Sequence, residues 1–381
     1  MRHVATPLAM VAALSVATSC GPTDDRIGGL RDASADGGAG VGTGPADASG
    51  TVSPEPPSCA PGGPGLMNCG AQRESCCASL AVTGGAYFRT YDSVGPAVDG
   101  GYGSTASLAP DGGPTGEADP ATISSFRLDK YDVTVGRFRQ FVAAYNGGWT
   151  PAPASGKHTH LNRGLGLANS GSAGGFEPGW VAADDSNLGP TDANLSCSPM
   201  FATWTSAVGS QENLPIDCVN WYESYAFCIW DGGFLPSEAE WEYAAAGGSQ
   251  QREYPWGTAD PGSANQYAIY GDGQGNCYWP TGTLAPCTGV ANAAPVGTAT
   301  LGAGLWGQLD LTGNMWQWNA DFYASYADPC ADCADWTPAS FRAVRGGLFN
   351  YLASFLLPPL RNYNPPSDRY GLMGVRCARS P

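Results

Sequence analysis

Thirteen cysteines, three histidines and a cluster of glutamates are the residues of this 381-residue chain whose types and spacing could do chemistry. A thiolate can serve as nucleophile, redox partner or soft metal ligand. Cys330 and Cys333, in CADC, have the spacing of a redox pair. Asp328, Asp332 and Asp335 surround them, however, and nearby negative charge raises a thiol pKa, so a small structural disulfide is favoured. The run CAPGGPGLMNCGAQRESCC sets four cysteines in a turn-rich piece, residues 59–80, that reads as a disulfide-stapled collar. A zinc knuckle is the sharper alternative. In KHTH, His158 and His160 would share one face of an extended segment, but two ligands make a poor metal site, and hydrogen-bonding or surface histidines are the expectation. Glu238, Glu240 and Glu242 in LPSEAEWEYAAAGG invite acid/base catalysis. Their i, i+2, i+4 spacing does not put all three on one helical face, which favours helix-terminus charge and salt bridging.

The elements that must position these groups are short. FRLDKYDVTVGRFRQFVAAYNGG begins with the alternation Phe126, Leu128 and Tyr131 and then changes period. Thr134 can cap a helix carrying Val135, Phe138, Phe141, Val142 and Tyr145 at 3/4 spacing, ended by Gly147 and Gly148. In VNWYESYAFCIWDGG, Asn220 and Glu223 form a capping-box pattern, and Trp221, Tyr225 and Cys228 mark one inward face. A third helix starts near Pro236. GGAYFRTYD predicts an opening strand, and GLWGQLDLTGNMWQW, FRAVRGGLFN and GLMGVRCAR predict strands of a small irregular sheet near the C-terminus. With 54 glycines and 31 prolines, the folded part is expected to be loop-rich, and residues 150–197 to form a long ordered loop.

Residues 1–20, MRHVATPLAMVAALSVATSC, carry a short basic start, an apolar run too short to span a bilayer, and small residues before Cys20. This pattern resembles a bacterial lipoprotein signal, which predicts lipidation of Cys20; an ordinary secretory signal is the alternative. Residues 21–58 lack any aromatic residue and read as a disordered tether. The expected product is an exported lipoprotein on the periplasmic or surface face of a cell envelope, with the membrane as partner through Cys20. Export favours pairing of the even set of remaining cysteines. Proximity in sequence suggests Cys197 with Cys218 and Cys277 with Cys287, although connectivity is not deducible from twelve cysteines. A net charge of −16 argues against a nucleic-acid partner.

Four stretches, RLDKYDVTVGRFRQFV, LPSEAEWEYAAAGG with YPWG, DLTGNMWQW, and RAVRGG with GVRCAR, appear in one order over residues 81–381. Together they resemble the formylglycine-generating enzyme, or sulfatase-modifying factor, family. The resemblance implies an α+β, C-type-lectin-like fold of low regular secondary structure, and a disulfide between Cys228 and Cys377. In that family a cysteine pair just after the RGG turn binds copper and oxidises a substrate cysteine. The two positions fall here on Tyr351 and Leu356, and no cysteine occurs between Cys333 and Cys377. Soft sulfur is what selects Cu(I), so copper chemistry is not expected. Related iron-dependent sulfoxide synthases use three histidines, which this chain lacks outside its signal.

The resemblance also implies structural Ca²⁺ through the Asp310 side chain, the Gly313 and Met315 carbonyls and Gln317, where the family has Glu. A second family site maps to Asn265, the carbonyls of Gln266 and Val290, and an Asp expected near Thr288. The substrate groove would persist as an aromatic cleft lined by Trp316, Arg345, Tyr351, Phe355 and Arg361, open to a peptide or glycan. The expected function is a non-catalytic binding or structural module. A sulfatase-activating or related oxidoreductase with altered chemistry is the alternative.

Overall fold

The computed structural model describes residues 55–91 and 116–381. The signal, Cys20 and the tether to residue 54 lie outside the described residues. The tether expectation is corrected at its end. Ser58 is fully buried, donating from its backbone to Asp231 Oδ1 at 3.0 Å and accepting from Arg137 Nε at 3.0 Å.

The collar cysteines pair as Cys59–Cys77 and Cys69–Cys76, which leaves no thiolate for zinc. The collar packs its sulfurs and Leu66 on Tyr131, Val296 and Leu309. Strands β1 (Ser79–Val82), β2 (Gly85–Thr90), β3 (Ala118–Ile123) and β4 (Phe126–Asp129) follow. β4 is the centre of a three-stranded sheet with β1 and the C-terminal Ala378–Arg379; β3 lies between β2 and Cys330–Ala331.

Helix α1 (Val135–Asn146) is capped by Thr134, whose hydroxyl accepts from Arg137 N, and ends at Gly147. Arg137 interrupts its apolar face. Its guanidinium is wholly buried, bonded to Asp129 at 2.9 Å, to Asp231 at 2.6 Å and to the Cys76 carbonyl at 3.1 Å. Helix α1 is thus pinned to β4, to the next long helix and to the collar at one point. After a one-turn α2 (Asp192–Leu195), α3 (Trp221–Trp230) begins with the Asn220–Glu223 capping box. Buried residues run round most of α3 rather than along one face, including Ser224, Ala226 and Phe227 beside the expected Trp221, Tyr225 and Cys228. The helix is packed on several sides, so a one-face pattern understates its burial.

Helix α4 (Glu238–Ala246) has a capping box of its own: Ser237 Oγ accepts from Glu240 N at 3.1 Å, and Glu240 Oε2 accepts from Ser237 N at 2.8 Å. Gly247 ends it in the left-handed conformation, φ 69°. The C-terminal sheet runs in the order β7 (Asn362–Asn364), β6 (Arg342–Arg345), β5 (Trp316–Phe322) and the short Met373–Gly374. The first two pairings are antiparallel and the last is parallel. Side chains of β5 alternate between faces. Gln317 and Asp321 meet α4, while the Trp318 indole donates to Val219 O at 3.0 Å on the other side.

The remaining cysteines form Cys197–Cys218, Cys228–Cys377, Cys277–Cys287 and Cys330–Cys333. The Cys228–Cys377 bridge ties α3 to the C-terminal segment across a sequence separation of 149. Closing such a loop contributes about 5 kcal/mol in the chain-entropy account. Alkylation of the native, unreduced protein should label no cysteine from Cys59 onward in peptide mass spectra. Recovery of labelled Cys330 or Cys333 would show the CADC pair to be open.

Candidate functional site

The RGG turn leads out of β6 into the stretch where the resemblance implies chemistry. Gly346 and Gly347 both have positive φ, 106° and 80°. A Cβ on Gly347 would lie 2.6 Å from the Phe355 carbonyl, so only glycine permits the chain to fold back this closely. The returning segment places Tyr351 half-buried and edge-on to Phe355, with centroids 4.6 Å apart, and to Trp316 at 6.2 Å. Its carbonyl accepts from Gly271 N at 2.8 Å. Leu356, in a short 3₁₀ turn (Ala353–Leu356), points into a different cluster and is wholly buried with Ala268 and Tyr270, flanked by Tyr254, Trp256 and Tyr278. The two positions therefore hold packed hydrocarbon in separate clusters.

The expected aromatic cleft is corrected here. Trp316 and Phe355 are buried core residues, and Arg345 and Arg361 turn inward to the carboxylates of α4. Glu238 and Glu242 stand one turn apart and so share a face. Arg345 Nε donates to Glu238 Oε1 at 2.8 Å, and its Nη2 to Glu242 Oε2 at 2.8 Å and to the Tyr326 hydroxyl at 2.5 Å. Arg361 grips Glu238 in bidentate fashion, both bonds at 2.7 Å, and lies 4.0 Å over the Tyr326 ring. Burial alone would raise the Glu238 carboxyl, but Arg361 and Arg345 outweigh it and hold it at about 2. Burial dominates at Glu242, which is pushed up to about 7 against the pull of Arg345. This arrangement locks α4 to β6 and to the segment before β7.

Glu240 faces elsewhere. His158 is buried between Glu177, at 3.0 Å from Nδ1, and Glu240, at 3.0 Å from Nε2. Burial lowers its pKa, yet the two carboxylates overcome that and raise it to about 10, so it is an imidazolium at neutral pH. His160 stacks on Phe234 and lies 3.4 Å from Ser380 Oγ; burial lowers its pKa. Among the described residues, no group of three or more His, Cys, Asp or Glu is arranged to hold a metal.

At the two positions where the resemblance implies calcium, the side chains bond within the chain. The Trp241 indole, a donor only, gives its N–H to Gln317 Oε1 at 2.7 Å, and Arg376 Nε adds a second donor at 3.2 Å. That fixes the amide: Gln317 Nε2 donates back to the Asp310 carbonyl at 2.8 Å. Asp310 Oδ2 accepts from Gly297 N at 2.7 Å, and the Gly313 carbonyl from Met315 N at 2.8 Å. Gln317 Oε1 thus already holds two donors, and position 317 offers no carboxylate oxygen to a hard cation. At the second position, the Thr288 hydroxyl is bonded to Asn292 Oδ1 at 3.2 Å, and the Gln266 carbonyl accepts from Leu301 N at 2.8 Å. With Thr288 in the place of an acid, only neutral oxygens are offered there. Each set thus lacks one carboxylate that the resemblance implies for a hard cation.

At the CADC pair, both sulfurs are buried and disulfide-bonded. The neighbouring acids hold backbone rather than tune a thiol: Asp332 accepts from Ser124 N at 2.6 Å, and Asp335 from Thr337 N at 2.8 Å. Sequence reasoning missed Glu177, Tyr326 and Arg376. Only Arg376, inside the quoted GVRCAR, lay in a stretch that carried any signal.

A family model described as "Sulfatase-modifying factor enzyme 1-like domain" matches residues 70–381. The chain belongs to this family. Its α+β, disulfide-stapled fold agrees with the C-type-lectin-like arrangement. Formylglycine-generating enzyme of Mus musculus is 25% identical over 68% of this chain, and the match spans 66% of that protein. Hercynine oxygenase of Mycolicibacterium thermoresistibile is 31% identical over 43% of this chain and 35% of that protein. Inactive C-alpha-formylglycine-generating enzyme 2 of Mus musculus is 32% identical over 46% of this chain and 52% of that protein. The chain thus spans between about a third and two thirds of the length of these relatives.

Two outcomes follow from this geometry. Glu238→Gln removes a carboxylate from two buried guanidiniums and should cost about 3–5 kcal/mol in chemical denaturation; a loss under about 1 kcal/mol would refute the central role of that carboxylate. Excess Ca²⁺ or EDTA should leave the thermal midpoint unchanged within about 1 °C, since an ion that does not bind the folded state cannot stabilise it.

Proposed function

We propose that this protein is an exported, lipid-anchored and non-catalytic binding module of the sulfatase-modifying class, held at a bacterial cell envelope through Cys20. The observation that carries the reading is the filling of the thiolate positions. Tyr351 packs edge-on against Phe355, and Leu356 is buried in an apolar cluster. Neither side chain is a ligand for Cu(I). The nearest cysteines in sequence, Cys333 and Cys377, are both locked in disulfides. Supporting it, the dense disulfide set suits an oxidising compartment, and the aromatic-free composition of residues 21–54 suits attachment to a lipid. One relative carries the word "inactive" in its name.

An enzyme with altered chemistry is the second reading. It is favoured by the two different enzyme names among the relatives, since one fold hosting two activities could host a third.

Purified protein titrated with Cu(I) and incubated with a cysteine-containing peptide under oxygen separates the two. The first reading expects no aldehyde above a metal-free blank and no copper retained after desalting. Aldehyde formed over several turnovers would end it.

A further inference from the structure

Two hollows adjoin on the surface. One, of about 490 Å³, is lined by Asn265, Gln266, Trp279 and Thr281, together with Thr298 and Thr300. The other, of about 240 Å³, lies between Asn68 of the collar, Asn213 and the segment from Pro295, and it shares Thr298 and Thr300. They form one groove whose wall is partly collar. Among the described residues, no Lys, Arg, His, Asp or Glu lines either hollow, although the chain carries 34 acidic and 18 basic residues. An ionic ligand would lose its hydration there with no counter-charge to replace it.

The polar groups of the groove are hydroxyls and amides, and two are incompletely bonded. Asn265 is only 6% exposed and sits at positive φ, 57°. Its Nδ2 donates to the Tyr278 carbonyl at 3.4 Å, while Oδ1 has no partner. Asn213 repeats the pattern: Nδ2 donates to Asn68 O at 3.4 Å and Oδ1 is left without one. Buried acceptors of this kind are ordinarily satisfied, by an ordered water or by a donor from a ligand. The Thr298 hydroxyl donates to Pro295 O at 2.6 Å, which leaves its lone pairs free to accept as well. Trp279 is half-buried against the main core and adds an aromatic surface to a neutral, acceptor-rich lining.

We infer that this groove binds an uncharged carbohydrate chain. Sugar hydroxyls match the threonine hydroxyls and amides of this lining, and the apolar C–H face of a pyranose suits an indole. An extended peptide is the weaker fit: the lining residues lie outside the strands, so the groove presents no sheet edge on which a peptide backbone could add. The inference deepens the binding-module reading by naming a ligand class and a place, and no residue of the Tyr351–Leu356 stretch lines the groove.

The test uses the full mature chain in detergent. It is titrated with uncharged hexaoses of glucose, mannose, galactose and N-acetylglucosamine, with hexagalacturonate and an unrelated extended peptide as controls, and read by tryptophan fluorescence and calorimetry. At least one neutral hexaose should bind, and Trp279→Ala should weaken it by tenfold or more. Thr300 is exposed, so Thr300→Tyr should fill the groove and weaken binding as much without moving the thermal midpoint. EDTA should have no effect. Absence of binding by every neutral hexaose would overturn the inference, as would binding indifferent to Thr300→Tyr, abolished by EDTA, or shown only by the charged sugar or the peptide. Any of those failures leaves the non-catalytic reading standing, whereas copper-dependent turnover would overturn that reading and leave the groove untouched.

Discussion

Two guanidiniums, Arg345 and Arg361, converge on one fully buried carboxylate, Glu238, and the C-terminal half of the chain is arranged around that convergence. A buried charge costs several kcal/mol unless it is paired and hydrogen-bonded, so the three groups must be delivered together. Arg345 comes at the end of β6, Arg361 ahead of β7, and Glu238 from the first turn of α4. Asp321 on β5 accepts the Glu238 backbone N–H at 2.6 Å, which aims the helix N-terminus at the sheet. Once these partners meet, the loop from Gly346 to Leu360 has both ends fixed and can only fold back over the sheet.

That constraint explains how a loop without thiols keeps its shape. The turn at Gly346–Gly347 and the Arg345 ion pairs hold the frame, while the loop interior is filled by aromatic edges around Tyr351 and apolar burial at Leu356. Burying a leucine side chain contributes about 1.5–3 kcal/mol. The replacements therefore stabilise the loop by packing, where thiols would have left smaller side chains. A second charged knot, Arg137 with Asp129 and Asp231, plays the same part for the N-terminal half and draws the collar into the fold through Ser58 and Cys76.

The calcium positions show how one residue type redirects a site. A carboxylate at position 317 would face Arg376 and the Trp241 indole as an anion and leave the Asp310 carbonyl open. The amide instead supplies a donor to that carbonyl, and the loop closes with hydrogen bonds alone.

Much was legible in the residues themselves. Thr134, Asn220 and Glu223 announce helix starts because capping is local: the side chain bonds a backbone N–H three residues away. The lack of any cysteine between Cys333 and Cys377 is a fact of composition, and the expectation against copper chemistry rests on it before any coordinates. What the sequence left open was every choice made between distant segments. The partner of His158 is Glu177 within the long segment before α2 and Glu240 on α4, 82 residues away. The facing of Arg345 and Arg361, read as cleft-lining, depended on where α4 docks, and the direction of the Gln317 amide depended on a tryptophan 76 residues distant. Local chemistry is written in spacing, because its partners are covalently near. Burial, ion pairing and the emptiness of a groove arise only when the chain closes on itself, and these the tertiary structure decided.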